Sequence, residues 1–230
     1  VPDTLTFDIP FLFRSLEHAR HVLDGPIGQE ILAEFDDAGL VAIAWGEQGF
    51  RHITNNRNPI ETPEDLAGMK LRTMENPVHL SAFNALGAAP TPMAWPEVIG
   101  ALQQGTIDGQ ENPLSVIVSA KLNEVQKYLT LSGHVYSPAM LLVSKPFWDT
   151  LSDEDKAAFE EGATEAVVAM RAYVDDVETS GVETLQERGM EVNELSEEQK
   201  AAFRASVESA YEGYYETYGK DLIDRISATE

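Results

Sequence analysis

Cysteine is absent from all 230 residues, which excludes disulfides, thiol nucleophiles and thiolate metal sites. Basic residues are scarce: 16 Lys and Arg stand against 39 Asp and Glu, for a formal net charge of −23. That balance argues against nucleic acid and anionic membrane surfaces as partners. The excess is heaviest after Trp148 and reads as a solvated face, which keeps a protein dissolved when salt screens repulsion. No run approaches the roughly 20 apolar residues of a membrane span, so the chain is not expected to cross one. It starts at Val1 with neither initiator Met nor signal peptide, and so reads as a processed or truncated piece. The glycine-rich dinucleotide and phosphate loops, the serine-hydrolase elbow and the HExxH zinc motif are all missing.

What is present is enough for real cores: 43% hydrophobic residues and three Trp. The length fits one large α/β domain or two small ones. Residues 4–13 are strongly apolar, but Pro10 interrupts a central strand. Ser15 suits the N-cap of a helix over 15–23, and Pro26 and Gly39 bracket a second over 26–38. Leu40–Trp45 is a continuous apolar run of the kind buried in a parallel sheet.

Thr62-Pro63-Glu64-Asp65 opens one helical turn, Met69–Met74 is strand-like, and helices are predicted over 78–86, from Pro96 to Gly105, and over 114–127. Tyr128–Ser132 and Met140–Ser144 read as separate β runs. Ser152 caps a long helix over 152–188 with Phe159, Ala163, Ala166, Met170, Tyr173 and Val177 on one face. Met190–Leu195 is a short strand, and a second capping box at Ser196 starts the final helix. Alternating strands and helices imply parallel α/β sheets.

Few residues are marked for chemistry. His18 and His21 sit three apart on a helix, a spacing that suits two metal ligands, but no further ligand is evident and they read as exposed polar residues. His134, between two apolar runs, reads as a hydrogen-bonded structural histidine. No pair among the acids is singled out for acid/base work. Arginine is sharper: only nine occur, and Arg51 and Arg72 lie where strands meet loops in mid-chain. A charge inside an apolar strand needs a partner. The guanidinium fork matches a ligand carboxylate, and an internal ion pair satisfies it equally well.

At these residues the sequence resembles the DctP-like solute-binding receptors of TRAP (tripartite ATP-independent periplasmic) transporters. The similarity runs along nearly the whole chain and is densest in GMKLR (68–72), ALGAAPTPM (85–93), EVIGALQQGTIDGQENP (97–113), NEVQKYL (123–129) and LVSKPFWDTLS (142–152). The resemblance implies that Arg72 pairs with a ligand carboxylate, that Asn112 reaches the same carboxylate, and that Arg51 supports the site. It also implies that Trp95 packs on the ligand, while Glu75 and Asn76 line the cleft where substrates differ. The family's opening β-α-β unit, about a quarter of its chain, has no counterpart here; without it the first lobe would lack core strands and expose apolar surface.

The expected architecture is therefore a two-lobed α/β fold of periplasmic-binding-protein type, braced by the long helix. Lobe 1 would hold residues 1–48 and 138–176, lobe 2 residues 49–137 and 177–204, with residues 205–230 returning to lobe 1 as a C-terminal helix. The expected role is a periplasmic receptor passing a small organic acid to the small and large integral membrane subunits, without catalysis, cofactor or metal. Glu75 and Asn76 beside Arg72 favour a sugar acid, a uronate or aldonate, over a C4-dicarboxylate, which wants a second cation. A ligand sensor and an enzyme on a similar fold are the other readings.

Overall fold

The computed structural model describes residues 1–230. After a 3-10 helix over Pro2–Asp8, helices α1 (Leu16–Asp24) and α2 (Pro26–Ala33) lead into a 16-residue strand, β1 (Leu40–Asn55). Then follow β2 (Lys70–Thr73), α3 (Pro77–Ala85), β3 (Ala89–Pro92), α4 (Trp95–Gln103), β4 (Gly109–Pro113) and α5 (Leu114–Ser119). A second long strand, β5 (Tyr128–Ser144), precedes α6 (Lys145–Trp148), α7 (Asp153–Glu187) and β6 (Glu191–Glu194). The chain closes with α8 (Glu197–Tyr214), a π turn and α9 (Lys220–Ala228).

Helix starts fall where capping chemistry puts them. Ser15, Asn76, Ser152 and Ser196 each accept a backbone N–H from the first turn of their helix, satisfying donors that have no intrahelical partner. Helix α7 is 35 residues long, about 50 Å at 1.5 Å per residue. Its buried side is not the predicted one throughout: Phe159 and Tyr173 are exposed, whereas Val174, Val177, Gly181 and Leu185 are buried. Two other helices are shorter than predicted. The second stops at Ala33, and the 114–127 segment breaks at Lys121, whose φ of 52° no α-helix tolerates.

All six strands form one sheet in the order β3-β2-β4-β1-β5-β6. It is mixed, which corrects the expectation of parallel sheets: β1 runs antiparallel to both β4 and β5, while β2 pairs parallel with β3 and β4, and β5 with β6. The two predicted runs at 128–132 and 140–144 are one strand, paired with β1 almost from end to end. Their ladder is interrupted in the middle. Arg51 opposes Val135 but Ile53 opposes Thr130, so Leu131–His134 loop out of register. Gly133, at φ 54°, supplies the left-handed residue this bulge needs.

Three hydrophobic clusters sit on this frame. The first gathers Phe7, Ile9, Leu12 and Phe13 with α1, α2, Trp45, Tyr136 and the C-terminal Ile223 and Ile226. The second packs Ile53, Ile60, Leu71, Phe83, Phe203 and Val207; the third joins Val98, Leu102, Leu114 and Leu129 to Val177 and Leu185 of α7. In its first part, over Leu40–Phe50, β1 pairs only with β5, and the nearby Leu142, Phe147, Phe159 and Val168 are exposed. Leu40–Ala44 is accordingly half-buried rather than fully buried.

Candidate functional site

The expected site residues cluster where β2 and β4 end, beside the bulge within β5. Parallel strands that finish side by side leave a crevice at their carboxyl ends, the usual place for a ligand in open α/β sheets. Arg72 is the penultimate residue of β2 and only 4% exposed. Its Nε–H and one Nη2–H both donate to the carbonyl of Met93, at 2.9 and 2.7 Å. The Trp95 ring lies over its Cζ at 5.6 Å to the centroid, within cation–π range. No carboxylate pairs with Arg72. Burial pulls its pKa down, opposed by the charges of Glu111 and Glu75. Met93 occupies the Nε edge of the fork, so an anion reaching Arg72 must meet it end-on, through Nη1 and Nη2.

Arg51 is the contrasting case. It is 1% exposed, and its Nε–H donates to Glu111 Oε2 at 2.5 Å. Its Nη2 donates to Oε1 and to the Glu111 carbonyl, at 2.9 and 2.7 Å, and Nη1 donates to Ser137 Oγ. A longer contact of 3.3 Å reaches Asn112 Oδ1. The internal ion pair that the sequence left open for both arginines is thus formed by Arg51 and not by Arg72.

Glu111 is the hub. It is fully buried and takes contacts from Arg51, from His134 Nε2 at 3.1 Å and from His79 Nδ1 at 3.5 Å. Burial alone would push its pKa up, but the charges of Arg51 and His79 and the hydrogen bond from His134 hold it well below the usual carboxylate range. Burial pushes the pKa of His134 down; its Nε2–H donates to Glu111, whose carboxylate can only accept, and Nδ1 lies 2.8 Å from the Ser132 hydroxyl. His79 opposes burial with two carboxylates, Glu111 and Asp8 (3.2 Å from Nε2), which raise its pKa to about 9.

Of the other expected ligand residues, Asn112 is buried and donates from Nδ2 to Gln110 Oε1 at 2.6 Å, the start of a chain through Thr54 to Gln126. Trp95 is 36% exposed. Glu75 is exposed at the rim. Asn76 is also buried: its Oδ1 caps α3 by accepting Val78 N–H, and its Nδ2 donates to Asp8 Oδ2 at 2.7 Å.

The structure therefore brings Arg72 and Trp95 into contact, and Arg51 and Asn112 into contact beside them, with Asn76 at the start of α3. Sequence reasoning missed Glu111, His79 and Asp8. The signal for Glu111 was there: a strand arginine needs a counter-ion, and Glu111 precedes Asn112 within GQENP.

His18 also differs from expectation. It is buried, accepting Arg14 N–H at Nδ1 and pairing through Nε2 with the Ile226 carbonyl, while His21 contacts Glu230. No cluster of three or more His, Asp or Glu has metal-binding geometry, and no helix is long and apolar enough to cross a membrane.

A family model described as "Bacterial extracellular solute-binding protein, family 7" matches residues 1–217. The chain belongs to this DctP family. Its relatives include a solute-binding protein of Verminephrobacter eiseniae, 49% identical over 230 residues, all of this chain and 68% of the relative. Among solved structures, a TRAP periplasmic solute-binding protein of Bordetella bronchispeptica, with density assigned to pantoate, is 58% identical with a TM-score of 0.96. One from Polaromonas sp JS666 bound to D-erythronate is 50% identical with a TM-score of 0.97. Each match covers 100% of this chain and 75% of the solved one. The DctP assignment bears out the resemblance and the two-lobed α/β fold class, and family members are extracellular binding proteins for small organic acids rather than enzymes.

Proposed function

We propose that this DctP chain carries the carboxylate end of a periplasmic receptor that captures a small hydroxylated monocarboxylate, a sugar acid of the aldonate or uronate type, and delivers it to the TRAP membrane subunits. One observation carries the reading: Arg72 is buried without a carboxylate partner, while Arg51 is neutralised by Glu111. Asp8 and His79 likewise pair with each other. The site is thus left with one cation that no carboxylate contacts, enough for one ligand carboxylate, with Glu75 acting on it only at longer range. A C4-dicarboxylate would place its second charge without a counter-ion, which is costly. Pantoate and D-erythronate, found with the two similar receptors, are both hydroxylated monocarboxylates.

In this reading Arg72 and Asn112 hold the carboxylate, Trp95 covers it, Arg51 fixes Asn112, and Glu75 meets hydroxyls at the rim. Asn76 acts from behind by holding the start of α3. The lobes divide as residues 1–48 with 138–176 and residues 49–137 with 177–204, and residues 205–230 return to the first. Strands β1 and β5 cross between them, with the bulge at Leu131–His134 as the hinge, and ligand contacts to both lobes favour closure.

Thermal-shift measurements with D-erythronate, galacturonate and succinate test this, because a ligand that binds the native state raises its apparent stability. A shift with one of the sugar acids and little with succinate is expected. A shift with succinate alone would overturn the monocarboxylate assignment.

A further inference from the structure

We propose that Asp8, which touches neither Arg72 nor Asn112, is a positioning residue for the carboxylate site and ties it to the first hydrophobic core; this rests on the receptor reading above. Asp8 ends the opening 3-10 helix, and its neighbours Phe7 and Ile9 are at 0% and 1% exposure in the first cluster. Its carboxylate therefore has little freedom to follow its partners. Both partners lie in the first turns of α3: Asn76 Nδ2 donates to Oδ2 at 2.7 Å, and His79 Nε2 lies 3.2 Å from Oδ1. Through Asn76 it anchors the segment that leaves β2 immediately after Arg72. Through His79 it reaches Glu111, the counter-ion of Arg51, which contacts Asn112.

The titratable and charged groups around His79 come from several elements: Asp8 from the 3-10 helix and Glu111 from β4 touch it, Arg51 of β1 pairs with Glu111, His134 of β5 lies beside it, and Tyr218 is near Asp8. Two carboxylates outweigh burial and keep His79 protonated. Removing Asp8 leaves Glu111 as the one anion in contact with a ring that burial pulls toward neutrality. His79 then loses its proton at lower pH, and the pocket loses positive charge as pH rises. An anion binds less well in that state.

The test uses the full chain and its Asp8→Asn and Asp8→Glu variants. The His79 ring is titrated by NMR without ligand, and D-erythronate affinity is measured by calorimetry from pH 6 to pH 8.5. In the parent, the His79 midpoint near 9 and a nearly flat affinity are expected. In Asp8→Asn the midpoint should fall by about a unit or more, and Kd should rise by about fourfold across that range, as a one-unit fall allows. Asp8→Glu should recover most of both. A parent His79 midpoint below 7, or an Asp8→Asn affinity profile parallel to the parent's, would overturn the proposal. A parent that binds no carboxylate defeats the receptor reading itself, and the ligand-free titration still decides the Asp8–His79 link.

Discussion

The guanidinium of Arg51 and the carboxylate of Glu111 meet 2.5 Å apart across the β1–β4 ladder, both almost wholly buried. This pair gives one of the two strand arginines an internal counter-ion and leaves Arg72 as the proposed anion receptor. It also makes Glu111 a structural keystone.

Replacing Glu111 by Gln should strongly destabilise the fold. Removing one partner of a buried pair strands the other charge, at a cost of about 3–5 kcal/mol. Chemical denaturation should show the midpoint falling with little change in slope. A variant as stable as the parent would show that Arg51 is compensated elsewhere.

Stability should fall at both ends of the pH range for identifiable reasons. Glu111 is depressed in the folded state, so its contribution is present above its ordinary pKa of 4.5 and is lost as pH drops toward the folded value. His79 is raised, so its contribution is complete below 6.5 and disappears as pH climbs through about 9. Urea melts of the parent and of His79→Gln should differ most at pH 6 and converge by pH 10. A constant difference across that interval would refute the linkage.

Glu178 on α7 behaves in the opposite sense. Burial, with Glu47 and Asp175 nearby, raises its pKa to about 7. The folded state thus holds the proton more tightly, and stability is lost as pH rises from 4.5 toward 7. Glu178→Gln should therefore raise the melting temperature at pH 8 and have little effect at pH 4.5. An equal effect at both would contradict the assignment.

Trp95→Leu should weaken ligand binding without unfolding the protein, since the ring is partly exposed and its tie to Arg72 is a single cation–π contact. Such contacts are worth about 0.5–2 kcal/mol, or roughly a two- to thirtyfold change in Kd. Calorimetry with a bound sugar acid measures it directly; no change would remove Trp95 from the site.

Much of this was legible in the sequence where local rules govern. Ser15, Ser152 and Ser196 announce their helices because a capping side chain acts within one turn, and the apolar run Met69–Met74 puts Arg72 on a strand, whereas the strand that carries Asn112 was not foreseen. Long-range relations were not legible. Nothing local reveals that β1 and β5 run antiparallel for most of their lengths, or that their ladder slips at Leu131–His134. The same limit hid Asp8, 71 residues from His79, and its hydrogen bond to the amide of Asn76. Arg51 and Arg72 were indistinguishable until pairing brought Glu111 to one of them.

Arg72→Ala tests the central claim most directly. Calorimetric titration of the folded variant with a sugar acid that binds the parent should show affinity reduced by about two to four orders of magnitude, as expected for a buried charge pair worth roughly 3–5 kcal/mol. Arg72→Lys should also bind poorly, because an ammonium cannot offer two parallel N–H donors end-on. A folded Arg72→Ala protein that binds the acid as tightly as the parent would contradict the claim that this guanidinium receives the carboxylate.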